Sequence, residues 1–290
     1  MVAPVRKAVV PAAGLGTRLL PLTKVVPKEL LPAGDRPAIQ HVAEEARSAG
    51  ADELILVLSR RKAAVGEYFA AAPDLERWLA GQSKEDLLGE LNRLVAALKT
   101  TSVYQDEPLG LGHAVLCARE AVGEEPFLVI LPDDLGDAEP SLARQMVQVY
   151  EQYGSPVVAL EQVADSQVER YGIIKGRKLD ERIYEISDLV EKPPRESAPS
   201  NLAVIGRYVL PPEIFSLLEQ VRPGAGGEIQ LTDALRSLCR QRTLLGCEFR
   251  GRRYDTGTLL GLVETNLRLA MKVPEWRPAL RSVIRELLRD

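Results

Sequence analysis

The 290-residue sequence predicts a three-layer α/β fold around a mostly parallel central sheet. Three observations carry that expectation. Short, nearly continuous apolar runs recur along the chain, amphipathic helical stretches separate them, and 46% of the residues are hydrophobic, enough to bury a large core.

The apolar runs are residues 8–13, 54–58, 127–131 and 157–160. Strands buried on both faces of a parallel sheet have this character, whereas half-exposed strands alternate apolar and polar positions. After the first run, Pro37 suits the first turn of a helix and Gly50 the position just past its end. Ile39, Val42, Ala43 and Ala46 keep the helical period between them, and Leu142, Met146 and Val149 repeat it later. The first half therefore reads βαβαβ.

Residues 74–99 interrupt that rhythm. Leu87, Leu88, Leu91, Leu94, Val95 and Leu98 sit at helical spacing, which predicts an inserted helical pair with its apolar stripe in the core. From about 170 to 210 the pattern turns to short strands and turns, with a loop at 197–201. A helix is expected after Pro211-Pro212, and another near Thr232, a good N-cap residue. Residues 275–289 form a last helical pattern, with Leu280, Ile284, Leu287 and Leu288 on one stripe. The expected division is a main domain over 1–270, carrying the helical insertion at 74–99 and a small β-rich part at about 165–235, followed by a helical tail over 271–290.

Composition removes several function classes. The formal net charge of −4 supplies no global basic field for nucleic acid, although 37 Lys and Arg can still build a local basic pocket. Three cysteines, Cys117, Cys239 and Cys247, make neither a disulfide framework nor a Cys-x-x-Cys site, and two histidines, His41 and His113, do not suffice for a histidine-built zinc centre. The cysteines are expected as reduced, packed thiols. No apolar run reaches membrane-spanning length, and the first is too short for a secretory signal, so a cytoplasmic protein is expected.

Gly14-Leu15-Gly16-Thr17-Arg18 follows the first apolar run directly. Glycines let a backbone approach a ligand closely, and bare N–H groups can cradle phosphate. A dinucleotide fingerprint would need its third glycine at Leu19, which argues against an NAD-dependent oxidoreductase, and the Gly-Lys-Ser/Thr of a Walker A loop is missing. Arg18 and the Lys28 of Pro27-Lys28-Glu29-Leu30-Leu31-Pro32 place two cations on a loop leaving the carboxyl end of a strand, where ligands of open α/β sheets bind. Two fixed cations suit a polyphosphate. Asp133-Asp134 ends the third apolar run. Two carboxylates there are costly unless a cation compensates them, and Mg²⁺ commonly binds one or two carboxylates together with phosphate oxygens.

Ala12-Ala13-Gly14-Leu15-Gly16-Thr17-Arg18 with Pro27-Lys28-Glu29 resembles the entry motif of the sugar nucleotidylyltransferase family. Pro108-Leu109-Gly110-Leu111-Gly112-His113-Ala114-Val115, Leu131-Pro132-Asp133-Asp134, Leu189-Val190-Glu191-Lys192-Pro193, Ala198-Pro199-Ser200-Asn201-Leu202 and Gly227-Glu228-Ile229-Gln230-Leu231-Thr232-Asp233 resemble its uridylyltransferase branch, in the family's order. The resemblance implies a Rossmann-like nucleotidyltransferase fold with a small β-rich sugar-binding part. It implies transfer of a uridylyl group from UTP to glucose 1-phosphate, giving UDP-glucose and pyrophosphate, by Mg²⁺-assisted in-line attack on the α-phosphate. A thymidylyltransferase is the near alternative, and a non-catalytic sugar-nucleotide-binding homologue a more distant one.

Residue by residue, the resemblance assigns catalysis to Arg18, Lys28, Asp133 and Lys192, and the metal to Asp133 and Asp255. It assigns the nucleotide to Ala12, Ala13, Gly14, Leu15, Gly16, Thr17, Gln105, Pro108, Gly110, Gly112, His113 and Asp134. Gly172, Glu191, Lys192, Asn201 and Val204 fall to the sugar. A glutamine amide suits the imide edge of uracil because it offers a donor and an acceptor. Tyr104 stands where the branch usually has Arg, and Leu259 where it usually has Lys. Relatives imply a homodimer or homotetramer, with no nucleic-acid or membrane partner.

Overall fold

The structure is a computed structural model and describes residues 2–224 and 227–289. Met1 and Asp290, at the ends of two expected segments, and Ala225-Gly226, inside the expected β-rich part, lie outside the described residues. The strands, in chain order, are β1 (Lys7–Pro11), β2 (Pro32–Ala33), β3 (Arg36–Pro37), β4 (Glu53–Leu58), β5 (Lys99–Tyr104), β6 (Phe127–Ile130), β7 (Asp134–Asp137), β8 (Val157–Gln162), β9 (Gly172–Lys178), β10 (Ile183–Glu191), β11 (Leu202–Leu210), β12 (Leu244–Glu248) and β13 (Arg252–Asp255). Nine form one sheet in the order β5-β4-β1-β6-β11-β8-β12-β10-β9. Following the pairings across it, β10 and β11 run against the other strands, so the sheet is mostly parallel in direction.

The apolar runs form strands because both of their faces are covered. In β1, Ala8 and Val10 face one core and Val9 the other; in β4, Leu54, Leu56 and Leu58 face the first and Ile55 and Val57 the second. The helices Ala38–Ser48 and Leu142–Tyr153 cover the first face, and Leu111–Cys117, Ile214–Gln220 and Leu231–Gln241 the second. Each fully buried aliphatic side chain contributes roughly 1.5–3 kcal/mol, so the alternation within single strands welds three layers together.

The sequence missed β5. Its residues, Lys-Thr-Thr-Ser-Val-Tyr, are polar and half-exposed because β5 lies at the sheet edge, where no second neighbour demands an apolar run. The 74–99 stretch does contain two helices, Pro73–Ala80 and Gly89–Ala97, and Leu94 and Leu98 are buried. Leu87 is off the stripe: it sits in the short turn Glu85–Leu88 and is 73% exposed. The last helix, Arg277–Leu287, buries none of its residues. Thr232 is not a cap, because the helix Leu231–Gln241 starts one residue earlier and Gln230 takes the cap position. Among the described residues no helix is long and apolar enough to cross a membrane.

β1, β4, β5 and β6 run parallel, so their carboxyl ends share one edge of the sheet. The loops carrying Gly14, Gln105 and Asp133 leave from it, as the general rule for ligand sites on such sheets requires. A separate two-stranded ribbon of β7 and β13 sets Asp134 opposite Asp255, which brings the end of the chain's last strand to the same edge.

Candidate functional site

Asp133 is the hub of the site. It follows β6, and Lys28 Nζ lies 2.7 Å and Arg18 Nη2 3.4 Å from its Oδ2. Burial pushes the Asp133 carboxyl up, but the charges of Lys28 and Arg18 outweigh it and hold the group below the usual carboxylate range. For Lys28, burial disfavours the ammonium, yet Asp133 and Glu29 more than offset that and raise it above its ordinary value. Both groups are therefore charged at neutral pH.

Neighbouring side chains hold this pair in place. Glu29 is fully buried and accepts two 2.8 Å hydrogen bonds from Lys62 Nζ, so it anchors the 27–32 loop inward while Lys28 reaches Asp133. Thr256 N–H and its hydroxyl both donate to the Asp133 carbonyl, at 2.8 and 3.1 Å. Arg207, 1% exposed, makes a bidentate pair with Glu45 and donates to the carbonyls of Leu131, Gly206 and Asp134. It thus fixes the backbone on both sides of Asp133.

The second carboxylate converges on the same point. A methyl placed on Gly257 would stand 2.9 Å from Arg18 Nη2, 3.0 Å from Asp255 Oδ1 and 3.1 Å from Asp133 Oδ2. Asp134 points elsewhere: Arg253 Nη1 donates to it at 2.7 Å, and burial pushes its carboxyl above the usual range despite that partner. Among the described residues no group of three or more His, Cys, Asp or Glu gathers around one point. The protein therefore offers two carboxylates, Asp133 and Asp255. That donor set fits a divalent cation whose remaining ligands are phosphate oxygens and water.

One cavity lies against this hub. Arg18, Asp133, Asp134, Gly172, Glu191, Lys192, Val204 and Asp255, all expected site residues, line it. Glu191 Oε2 accepts a 2.6 Å hydrogen bond from the Thr232 hydroxyl, and a side chain at Gly172 would run into that pair. Neighbouring residues of a strand point to opposite faces and need not pair, yet Lys192 Nζ is 3.2 Å from Glu191 Oε1. The rule fails because β10 ends at Glu191 and Lys192 turns with φ +44°, a conformation that a non-glycine residue before proline rarely adopts. Strain of this kind persists where the surroundings enforce it and concentrates at functional sites. Arg170, Tyr171, Thr232 and Arg253 also line the cavity, and sequence reasoning passed over them. The signal available was the Arg252-Arg253 pair directly before Tyr254-Asp255, since a strand running into a ligand site carries alternate residues toward it.

A second recess is lined by Ala13, Leu15, Gln105 and Pro108, with Ser59, Arg60, Arg61 and Asp106 also at its wall. Gly16, at φ +69°, turns the chain between the two, and its carbonyl accepts from the Thr23 hydroxyl at 2.8 Å. Gly14, Leu15 and Thr17 are exposed along that turn. Ala12 is buried and its N–H donates to the Val57 carbonyl, so that amide extends the sheet and is not free for a phosphate. Gly110 caps the helix Leu111–Cys117, whose first turn carries Gly112 and His113, and the loop before it reaches the recess through Gln105. Gly112 N–H donates to the Ile229 carbonyl, and Ile229 N–H donates to the Leu109 carbonyl, so the 228–230 stretch clamps that loop. Asn201 is not among the cavity-lining residues; its side chain meets Gln162, and its carbonyl accepts from Val163 N–H.

The cavity with its cations suits two phosphate-bearing anions, and the recess with its amide suits a flat heterocycle. Comparison with known proteins agrees with that chemistry. The profile of the nucleotidyl transferase family matches residues 7–272. A UTP–glucose-1-phosphate uridylyltransferase of Bacillus subtilis (strain 168) is 45% identical over 284 residues, 98% of this chain and 97% of its own. A crystal structure of UDP-glucose pyrophosphorylase complexed with UDP-glucose superposes with a TM-score of 0.85 at 42% identity, covering 92% of this chain and 99% of that one. A putative glucose-1-phosphate thymidylyltransferase of Bacillus anthracis is more distant, with a TM-score of 0.68 and 25% identity over 92% of this chain and 95% of its own.

Proposed function

The chain belongs to the nucleotidyl transferase family, and from that premise we propose that it transfers the uridylyl group of UTP to glucose 1-phosphate, giving UDP-glucose and pyrophosphate. The observation that carries this reading is the convergence of Asp133, Asp255 and Arg18 on Gly257, beside the Lys192–Glu191 pair and within one cavity. The greater similarity to uridylyl enzymes than to the thymidylyl enzyme favours UTP over dTTP as the donor.

A phosphate oxygen of glucose 1-phosphate attacks the α-phosphorus of UTP. The new P–O bond forms as the bond to the β-phosphate oxygen breaks, and pyrophosphate leaves. The attacking phosphate is already ionised, so no protein nucleophile or base is required. The task of the protein is to hold two anions together and in line. Lys192 would hold the sugar phosphate, with Glu191 and the Gly172 backbone at the hexose hydroxyls. Arg18 and Lys28 would offset the charge of the triphosphate and of the departing pyrophosphate. Asp133 and Asp255 would hold a divalent cation, Mg²⁺ by preference for oxygen ligands, which supplies further neutralisation of phosphate charge. Such an enzyme draws on the cell's nucleotide pool, so the reading includes a cytoplasmic location. It also includes self-association as a homodimer or homotetramer, for which Leu260, Val263 and Leu287 on the last two helices, and Leu288 just past the end, offer exposed apolar surface.

The test is pyrophosphate release with Mg²⁺ across UTP, dTTP, CTP and ATP, each with glucose 1-phosphate and other hexose 1-phosphates. UTP with glucose 1-phosphate should give the highest kcat/KM; release that is faster with dTTP, or absent with every pair, contradicts the proposal. Lys192→Ala removes one charge-assisted hydrogen bond to phosphate, of roughly 1.5–3 kcal/mol. It should raise KM for glucose 1-phosphate about tenfold or more and change KM for UTP far less. Unchanged KM for the sugar phosphate would remove Lys192 from that role.

A further inference from the structure

We propose that His113 is a positioning residue: it locks the Gln105 amide so that only its oxygen faces the recess, which makes the recess accept a pyrimidine with an N3–H and reject one with a bare N3. The inference rests on the reading above that this recess takes the base.

Gln105 sits rigidly at the end of β5. Its N–H donates to the Leu58 carbonyl at 2.9 Å, and the residue is only 6% exposed. Its side-chain nitrogen, Nε2, lies 3.1 Å from the Gly110 carbonyl oxygen and 2.9 Å from His113 Nδ1. A carbonyl oxygen only accepts, so the NH₂ end of the amide must face Gly110. Its second hydrogen then points at His113 Nδ1, which must present a lone pair. The ring proton of neutral His113 therefore sits on Nε2, which has Cys117 Sγ at 3.9 Å one helical turn along.

The backbone that carries the first acceptor is held. Gly110 has φ +94°, and a methyl placed on it would meet Glu228 Cβ at 2.9 Å; the clamp by Ile229 holds the loop from both sides. Both amide hydrogens are thus spent inside the protein. Among the described residues Oε1 of Gln105 has no hydrogen-bond partner, and Gln105 lines the recess beside Ala13, Leu15 and Pro108. The recess is offered an acceptor and no donor from this side chain. Uracil presents N3–H and completes a hydrogen bond. Cytosine presents a lone pair at N3, and two lone pairs face each other. Sites built to receive one hydrogen bond reject the analogue lacking it far more strongly than shape alone does, because the buried partner is left unpaired.

The experiment compares kcat and KM for UTP and CTP in the wild type, His113→Leu, His113→Asn and Gln105→Leu. The wild type should prefer UTP by about a hundredfold or more in kcat/KM. His113→Leu frees one amide hydrogen and unlocks the rotation. KM for UTP should rise about tenfold, kcat should fall much less, and the preference over CTP should shrink by about tenfold. Asn places its side-chain oxygen near the position of Nδ1, so His113→Asn should recover most of the preference. A His113→Leu enzyme with wild-type KM and preference would overturn the proposal, as would His113→Asn damaged to the same extent as His113→Leu. Gln105→Leu separates the two levels. If it leaves KM for UTP and the preference intact, the base lies elsewhere and the reading of the recess fails with the proposal. If it abolishes the preference while His113→Leu does not, only the role of His113 fails.

Discussion

Replacing Asp133 with Asn should lower turnover with saturating UTP, glucose 1-phosphate and Mg²⁺ by a hundredfold or more, on the order of what loss of one preorganised electrostatic group costs in other enzymes. Asn keeps the shape of the side chain and can still accept from Lys28, so the loop is retained. What disappears is the negative charge. Without it, only Asp255 would remain to hold a cation, and the balance that holds Lys28 and Arg18 at the hub is lost. The fold should survive, because Glu29, Thr256 and Arg207 fix this region through contacts that the substitution leaves alone. The check is steady-state turnover beside a cooperative thermal unfolding curve. A folded variant keeping more than about a tenth of wild-type kcat would contradict the assignment, since a loss smaller than that is within reach of a mere change in surroundings.

The largest stability effect is expected at Arg207, which is 1% exposed. Arg207→Met should destabilise the protein by about 3–5 kcal/mol, the range for breaking a buried pair by removing one partner. Glu45 would be left buried without its partner, and among the described residues only the Ala143 N–H, at 2.9 Å, would still donate to its carboxyl group. The carbonyls of Leu131, Gly206 and Asp134 would each lose a donor. Removing both charges should be milder than removing one, so Glu45→Leu with Arg207→Met should lose less stability than the sum of the single variants. Urea unfolding with linear extrapolation measures this. A loss below about 1 kcal/mol for Arg207→Met would show that the network is dispensable. Turnover should fall as well, because Arg207 holds the carbonyls on either side of Asp133.

Some parts of this molecule were legible in the sequence because one local rule decided them. β1, β4 and β6 announced themselves because both of their faces are buried, which forces an unbroken apolar run. The loop at Gly16 was legible because its φ of +69° favours a residue without Cβ. The parts that depend on distant residues were not legible. The ribbon of β7 and β13 brings Asp255 to Asp133, and no spacing rule connects positions so far apart; only the family resemblance had put the two together. Arg207 lies in the otherwise apolar run Leu-Ala-Val-Ile-Gly-Arg-Tyr-Val-Leu, and its partner Glu45 sits on a helix 162 residues earlier. β5 looked polar because an edge strand can afford to be. Glu191 and Lys192 defied alternation because the strand stops between them. Thr232 looked like a cap, yet its hydroxyl serves Glu191, a partner that only the fold supplies.

The direct test is a crystal structure with UDP-glucose and Mg²⁺ bound. The diphosphate should lie between Arg18, Lys192 and Asp133, with the metal on Asp133 and Asp255, the hexose at Glu191 and Gly172, and the uracil against Gln105. UDP-glucose bound in another part of the molecule, or seated here with its phosphates out of reach of Arg18, Lys192 and the metal, would contradict the account.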